Sequence, residues 1–201
     1  MEKFMNVQEC IKKRSSCRKY TNIPIPIETT YDILNAAIWA PSPKNRQPWR
    51  FTVLQGESKK QIINECIHKL CKNSDNVDYL MDKEICTENH TLKIIEQAPV
   101  LILVFNALPS ETVLNSYNVT FDYLNMQAIG ASIQNMLLRA TEIGLGSLWI
   151  GDILSAEQVI TEHFPNSGKL VAGVVIGFSI EEDVVHSRRV SLSESITYIG
   201  G

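Results

Sequence analysis

Histidine and cysteine are scarce and scattered in this chain of 201 residues. The four histidines (His68, His90, His163, His186) form no HExxH pair, so no metal site is readable. The five cysteines (Cys10, Cys17, Cys66, Cys71, Cys86) are odd in number and include no CxxC, which excludes a disulfide framework and a zinc pattern. There is no GxSxG elbow, no GxxxxGK[ST] phosphate loop and no GxGxxG after a strand. Nucleophilic hydrolysis, P-loop chemistry and a Rossmann site all lose their sequence support. The apolar runs near 98–105 and 170–178 are far shorter than the roughly 20 residues a membrane span needs. The opening MEKFMNVQEC has no apolar stretch of a signal peptide. Nineteen basic residues against 22 acidic give −3, too balanced for a chain held to nucleic acid by phosphate neutralisation. These absences predict a soluble, cytoplasmic protein with one domain over residues 1–201.

What is present suits a packed core: 44% apolar and 20% charged residues, with helices and short strands mixed along the chain. Val7 and Ile11 mark a helix over 7–13. Pro24 and Pro26 set up another over 27–39, whose apolar residues Ile27, Tyr31, Leu34 and Ile38 recur at helical steps. Strands are predicted over 51–54, 100–106, 147–150 and 171–177. Helical segments are predicted over 59–72 and around 92–95. Residues 73–78 read as polar and mobile, and much of 79–97 as ambiguous. The stretch 120–143 is the longest helix and is apolar nearly all round, as for a helix central to a core or subunit interface. Ser155 to Gln158 reads as a capping box opening a further helix. The sum is an α+β fold, a mixed central sheet flanked by helices.

Four segments could carry chemistry. Arg14, Ser16 and Arg18 alternate, so an extended backbone points all three to one side, where two guanidiniums and a hydroxyl suit a phosphate. The same residues also suit a solvated basic cluster at a helix C-terminus. In the loop Pro41–Pro48, Ser42, Asn45 and Gln47 offer groups that could read the edge of a heterocycle, or could satisfy the loop's own turns. The glycines of 144–151 would let backbone approach a flat ligand. Arg188 and Arg189, taken alone, read as solvated surface.

Together, over about 7–189, these segments resemble the nitroreductase family of FMN-dependent oxidoreductases. Arg14-Ser-Ser16-Cys-Arg18-Lys-Tyr20 resembles that family's Arg-Arg-Ser-x-Arg-x-Phe stretch. Ala40-Pro-Ser-Pro-Lys-Asn45-Arg-Gln47-Pro-Trp49-Arg-Phe is similar to its Ala-Pro-Ser-x-x-Asn-x-Gln-Pro-Trp-x-Phe signature, the most specific of the matches. Gln97-Ala-Pro99-Val-Leu-Ile resembles the lead-in to its central strand. Ile143-Gly-Leu-Gly146-Ser-Leu-Trp149-Ile-Gly151 is similar to its Gly-Leu-Gly-Ser-x-Trp-Ile-Gly segment.

The resemblance implies FMN as cofactor, NADH or NADPH as reductant, and a homodimer with FMN at the subunit interface. Arg14 and Ser16 would hold the phosphate and ribityl chain, beside Ser15, which stands where a second arginine is common. Arg18 would lie toward the pyrimidine edge. Pro41, Ser42, Pro43 and Asn45, with Gln47 nearby, would reach the flavin from the other subunit. Leu148, Trp149, Ile150 and Gly151 would lay backbone along the ring near N5. Arg188 or Arg189 would close on the phosphate from a tail, about 186–201, that wraps the partner. No side chain is implied as catalytic, since the chemistry sits on FMN N5. The implied activity is hydride transfer from NAD(P)H to nitroaromatics, quinones or similar small acceptors in ping-pong order. Reductive dehalogenation, ring oxidation, flavin fragmentation and a non-catalytic FMN-binding redox sensor are the alternatives on the same fold.

Overall fold

The strand Val100–Asn106 is buried along its whole length and organises everything around it. A computed structural model describes residues 5–64, 90–108, 121–180 and 187–200. In chain order these form α1 (Val7–Lys13), α2 (Ile27–Ala37), β1 (Trp49–Gln55), α3 (Gly56–Ile62), α4 (His90–Gln97), β2 (Val100–Asn106), α5 (Phe121–Glu142), β3 (Gly146–Ile150), α6 (Glu157–His163), β4 (Lys169–Gly177) and α7 (Leu192–Ser195). The four strands form one sheet in the order β1-β2-β4-β3, antiparallel at every pairing. Its parallel element is a bridge between Ser16 and Ser147 at the β3 edge.

Strand periodicity divides the core into two layers. Leu101, Leu103 and Phe105 pack on one face with Ile62, Ile95, Ile150, Ile153 and Ile160. Val100, Ile102 and Val104 pack on the other with Ile33 and Ala37 of α2 and Ile129, Ile133 and Met136 of α5. An apolar run without alternation thus becomes a strand covered by helices on both faces. Helix α5 ends where Gly144 takes φ 79; its amide donates to the Thr141 carbonyl, and that of Leu145 to Ala140 at 2.8 Å.

Three local expectations change. Helix α2 buries Thr30, Ile33 and Ala37, while Ile27, Tyr31 and Ile38 of the predicted stripe are exposed. The segment carries two apolar faces and the sheet covers one. Ser155 caps nothing: it lies in a single 3-10 turn, Asp152–Ala156, where its hydroxyl donates back to the Asp152 carbonyl at 2.8 Å. Ala156 occupies the N-cap position of α6. A true capping box opens α1, with the Glu9 amide donating to Asn6 Oδ1 at 3.0 Å and the Asn6 amide to Glu9 Oε2 at 2.8 Å. The predicted helix over 59–72 begins earlier, at Gly56. Its part beyond residue 64, and the readings for 73–89, lie outside the described residues.

One buried cation serves the scaffold. Lys59 Nζ donates to the carbonyls of Ile95 (3.0 Å), Glu96 (2.9 Å) and Ala98 at the C-terminus of α4. An ammonium at that end satisfies orphan carbonyls and opposes the helix dipole. Burial pushes its pKa down, and the negative charge of Glu96 pulls it up.

Candidate functional site

The segment that follows α1 runs across one end of the sheet like a strap. Ser16 bridges Ser147 of β3, and the Cys17 amide donates to the Ser147 carbonyl at 3.0 Å. Tyr20 bridges Ser179 just past β4, and its hydroxyl donates to the Cys17 carbonyl at 2.8 Å. Further on, Gln55 Nε2 at the end of β1 donates to the Ile25 carbonyl at 3.2 Å.

Burial varies along the strap. Cys17 and Tyr20 are buried, Ser15 and Ser16 half-buried, and Arg18 exposed with Nη1 donating to the Ser16 carbonyl at 3.2 Å. The Cys17 thiol donates to the Lys19 carbonyl at 3.3 Å. It rests against Gly146, where a Cβ would lie 2.7 Å from Cys17 Sγ and 2.9 Å from its Cβ. Gly146 is therefore glycine because the Cys17 side chain packs too close to leave room for another. Neither Gly146 nor Cys17 had been singled out for this contact. The partner of Cys17 lies far along the chain, so no local pattern signals the contact.

The second finding is electrostatic. Arg14 is half-buried, and its pKa is depressed by desolvation and by the positive charge of Arg189. Two guanidiniums from distant parts of the chain therefore lie close enough for their charges to interact. The exposed Arg189 Nη1 donates to the Ser187 carbonyl at 3.0 Å; Arg188 is exposed beside it.

The strand next to this cradle has a free side. β3 is an edge strand, paired to β4 on its inner side, with Leu148 opposite Val175, Trp149 opposite Val174 and Ile150 opposite Gly173. On its outer side the strap bonds at Ser147; among the described residues no strand covers Leu148 to Gly151. Trp149 is partly exposed, Gly151 exposed, Leu148 half-buried and Ile150 buried.

The loop from Pro41 to Pro48 is built by its own polar groups. The Gln47 amide donates to Ser42 Oγ at 2.9 Å, the Asn45 amide to the Ser42 carbonyl at 2.9 Å, and the Arg46 amide to the Pro43 carbonyl at 3.1 Å. Lys44, Asn45 and Gln47 all take positive φ (52, 52 and 48°). Such backbone is seldom adopted by residues other than glycine, and asparagine is among the exceptions. Pro41, Asn45 and Gln47 are exposed; Ser42 and Pro43 are half-buried. Within one chain, no hydrogen bond or ion pair among the described residues joins this loop to the arginine cradle. The structure thus brings the strap to β3 and the charge of Arg189 to Arg14.

No group of three or more histidine, cysteine, aspartate or glutamate side chains that could hold a metal occurs among the described residues. No helix among them is long and apolar enough to cross a membrane.

An antiparallel sheet between helical layers, with the strap after α1 bonded to the edge strand β3, defines an α+β protein. The chain belongs to the nitroreductase family: the family model matches residues 11–178. A protein of Methanothermobacter thermautotrophicus, named as an NADH dehydrogenase/NAD(P)H nitroreductase, is 29% identical over 147 residues, covering 73% of this chain and 61% of its own length. Iodotyrosine deiodinase 1 of Rattus norvegicus is 31% identical over 105 residues, 48% of this chain and 35% of that protein. The chain therefore spans well under two thirds of these relatives. Among solved structures, a protein of Desulfovibrio desulfuricans named as a nitroreductase, in complex with FMN, matches with a TM-score of 0.73. It is 26% identical, covering 98% of this chain and 99% of that one.

Proposed function

We propose that this protein is an FMN-dependent oxidoreductase that passes a hydride from NAD(P)H to small acceptors such as nitroaromatics or quinones. The observation that supports the reading is the half-buried Arg14 on the strap bonded to β3, close enough to Arg189 of the tail to feel its charge, on a chain of this family. A terminal phosphate monoester fits that donor set. The isoalloxazine would supply the hydride-accepting chemistry once bound. This chain's part is to hold and orient. Arg14, Ser15, Ser16 and a tail arginine take the phosphate and ribityl chain, Arg18 faces the pyrimidine edge, and Leu148–Gly151 present backbone along the ring. Pro41, Ser42, Pro43, Asn45 and Gln47 complete the site from the partner subunit.

What one chain leaves uncovered supports a homodimer. Val7 and Ile11 of α1, Tyr31 and Ile38 of α2, and Trp39 at 84% exposure present large apolar side chains to solvent. The tail adds Val190, Leu192, Ile196, Tyr198 and Ile199, all exposed. Scattered apolar residues are ordinary on surfaces, but one tail with five of them needs a cover. Obligate interfaces commonly bury more than about 2,000 Å². Sedimentation of the flavin-loaded protein at low micromolar concentration should give twice the chain mass; a stable loaded monomer would contradict the shared site.

Order of substrates tests the activity. If the β3 side covers one flavin face, reductant and acceptor use the other in turn, and no ternary complex forms. Double-reciprocal plots against NAD(P)H at several fixed quinone or nitroaromatic concentrations should give parallel lines. Intersecting lines would mean separate substrate sites. The local 31% identity to a deiodinase supports reductive dehalogenation as a second reading. Halide release from a halotyrosine, without turnover of quinones, would favour it.

A further inference from the structure

Lys44 and Arg46 flank Asn45 in the proline loop, and both are turned onto one aromatic ring. The Arg46 guanidinium carbon lies 4.2 Å from the centroid of Phe121, and Lys44 Nζ lies 5.9 Å from it. Phe121 is half-buried and is the first residue of the long helix α5. Neither cation is ion-paired among the described residues. A guanidinium stacked by its face keeps its in-plane N–H groups for an acceptor, and arginine's fork matches phosphate geometry. The lysine adds a mobile point charge beside it. Two cations gathered on one ring, neither ion-paired among the described residues, form a receptor for a compact dianion.

On the reading that this loop belongs to the flavin site, we propose that Lys44 and Arg46 bind the ribose 2′-phosphate of NADPH and so select NADPH over NADH as reductant. The two nucleotides differ only by that phosphate. A phosphate monoester, with a second pKa near 6, is close to doubly charged at neutral pH. Phe121 acts as a positioning residue: its ring holds the guanidinium flat and keeps water from that face.

The test uses the FMN-loaded protein, so that the arginine cradle is already filled. Calorimetric titration should show 2′,5′-ADP binding about tenfold or more tighter than 5′-AMP, as one or two charge-assisted hydrogen bonds predict. Steady-state kcat/KM should favour NADPH over NADH by a similar factor. In the Lys44→Gln/Arg46→Gln double variant both ratios should fall to about one; Phe121→Leu should lower the calorimetric ratio in part. Equal affinity of the wild type for the two adenine nucleotides, or ratios that survive the double substitution, would overturn the assignment and leave a surface cation–π contact. A flavin that dithionite reduces but neither nucleotide reduces would refute the oxidoreductase reading instead. The calorimetric ratio would still decide the role of Lys44 and Arg46.

Discussion

Arg14→Ala should raise the dissociation constant for FMN by about a hundredfold, while leaving the flavin-free fold at least as stable as the wild type. The two effects have one cause. Arg14 is half-buried, and burial and the charge of Arg189 both disfavour its charged form when no anion is bound. A bound phosphate reverses that sign. Removing one member of a desolvated charge-assisted contact costs on the order of 2–5 kcal/mol, and about 3 kcal/mol is roughly a hundredfold in affinity. Because arginine remains protonated at any working pH, the effect on the flavin-free fold should not depend on pH between neutral and mildly acid conditions. The loss of FMN affinity should instead shrink as the phosphate takes up its second proton at about pH 6. Arg18→Ala, at an exposed side chain folded onto its own segment, should weaken FMN by less than about tenfold. Flavin quenching titrations and urea unfolding of both variants supply the comparison. An Arg14→Ala protein that binds FMN normally, or one destabilised without flavin, would show that the guanidinium serves the fold.

Gly146→Ala should lose both stability and flavin. The new methyl would stand 2.7 Å from Cys17 Sγ and 2.9 Å from Cys17 Cβ, with Ser179 Cβ at 3.3 Å. The neighbour cannot simply rotate away, because Cys17 is tied by its amide to the Ser147 carbonyl and by its carbonyl to the Tyr20 hydroxyl. The strap must move, and Ser16 and Arg18 move with it. Overpacking of this kind costs about 1–3 kcal/mol, and a displaced phosphate site adds a loss of FMN affinity. Cys17→Ala relieves only the sulfur contact, whereas Cys17→Gly relieves both. Each Cys17 substitution should therefore be less harmful in the Gly146→Ala background than alone, Cys17→Gly most of all, with a coupling of about 1 kcal/mol or more. Additive effects in that double-mutant cycle would mean the close approach is absent in solution.

The parts of this fold that were legible in sequence are those governed by local pattern. The strand Val100–Asn106 matches its predicted limits, because an uninterrupted apolar run bounded by Pro99 has few other places to go. The predicted helix over 120–143 is observed as Phe121–Glu142 for the same reason. Where a segment had two solutions, pattern could not choose. Helix α2 has apolar residues on two faces, and only the layer it packs against shows that Ile33, not Tyr31, enters the core. Ser155 had a backbone carbonyl three residues upstream competing for its hydroxyl, and that partner prevailed.

The site divides in the same way. The alternation of Arg14, Ser16 and Arg18 predicted a common face, but the partners that create the cradle are distant in sequence. Ser147 and Gly146 fix the strap, and Arg189 supplies the second charge. Loop closure over such separations leaves no periodic trace in composition. Arg188 and Arg189 look like surface for that reason.

The central claim is that one chain of this protein holds one FMN at the Arg14 cradle and that NAD(P)H reduces it there. Anaerobic titration of the purified, FMN-loaded protein with NADPH and then NADH, followed in the visible spectrum, tests that claim most directly. The account predicts a yellow protein carrying one FMN per chain, with the flavin band bleached by one equivalent of nucleotide, and an Arg14→Ala protein that purifies without its colour. A protein that takes up no FMN, that holds FAD in preference, or whose flavin only dithionite can bleach would contradict it.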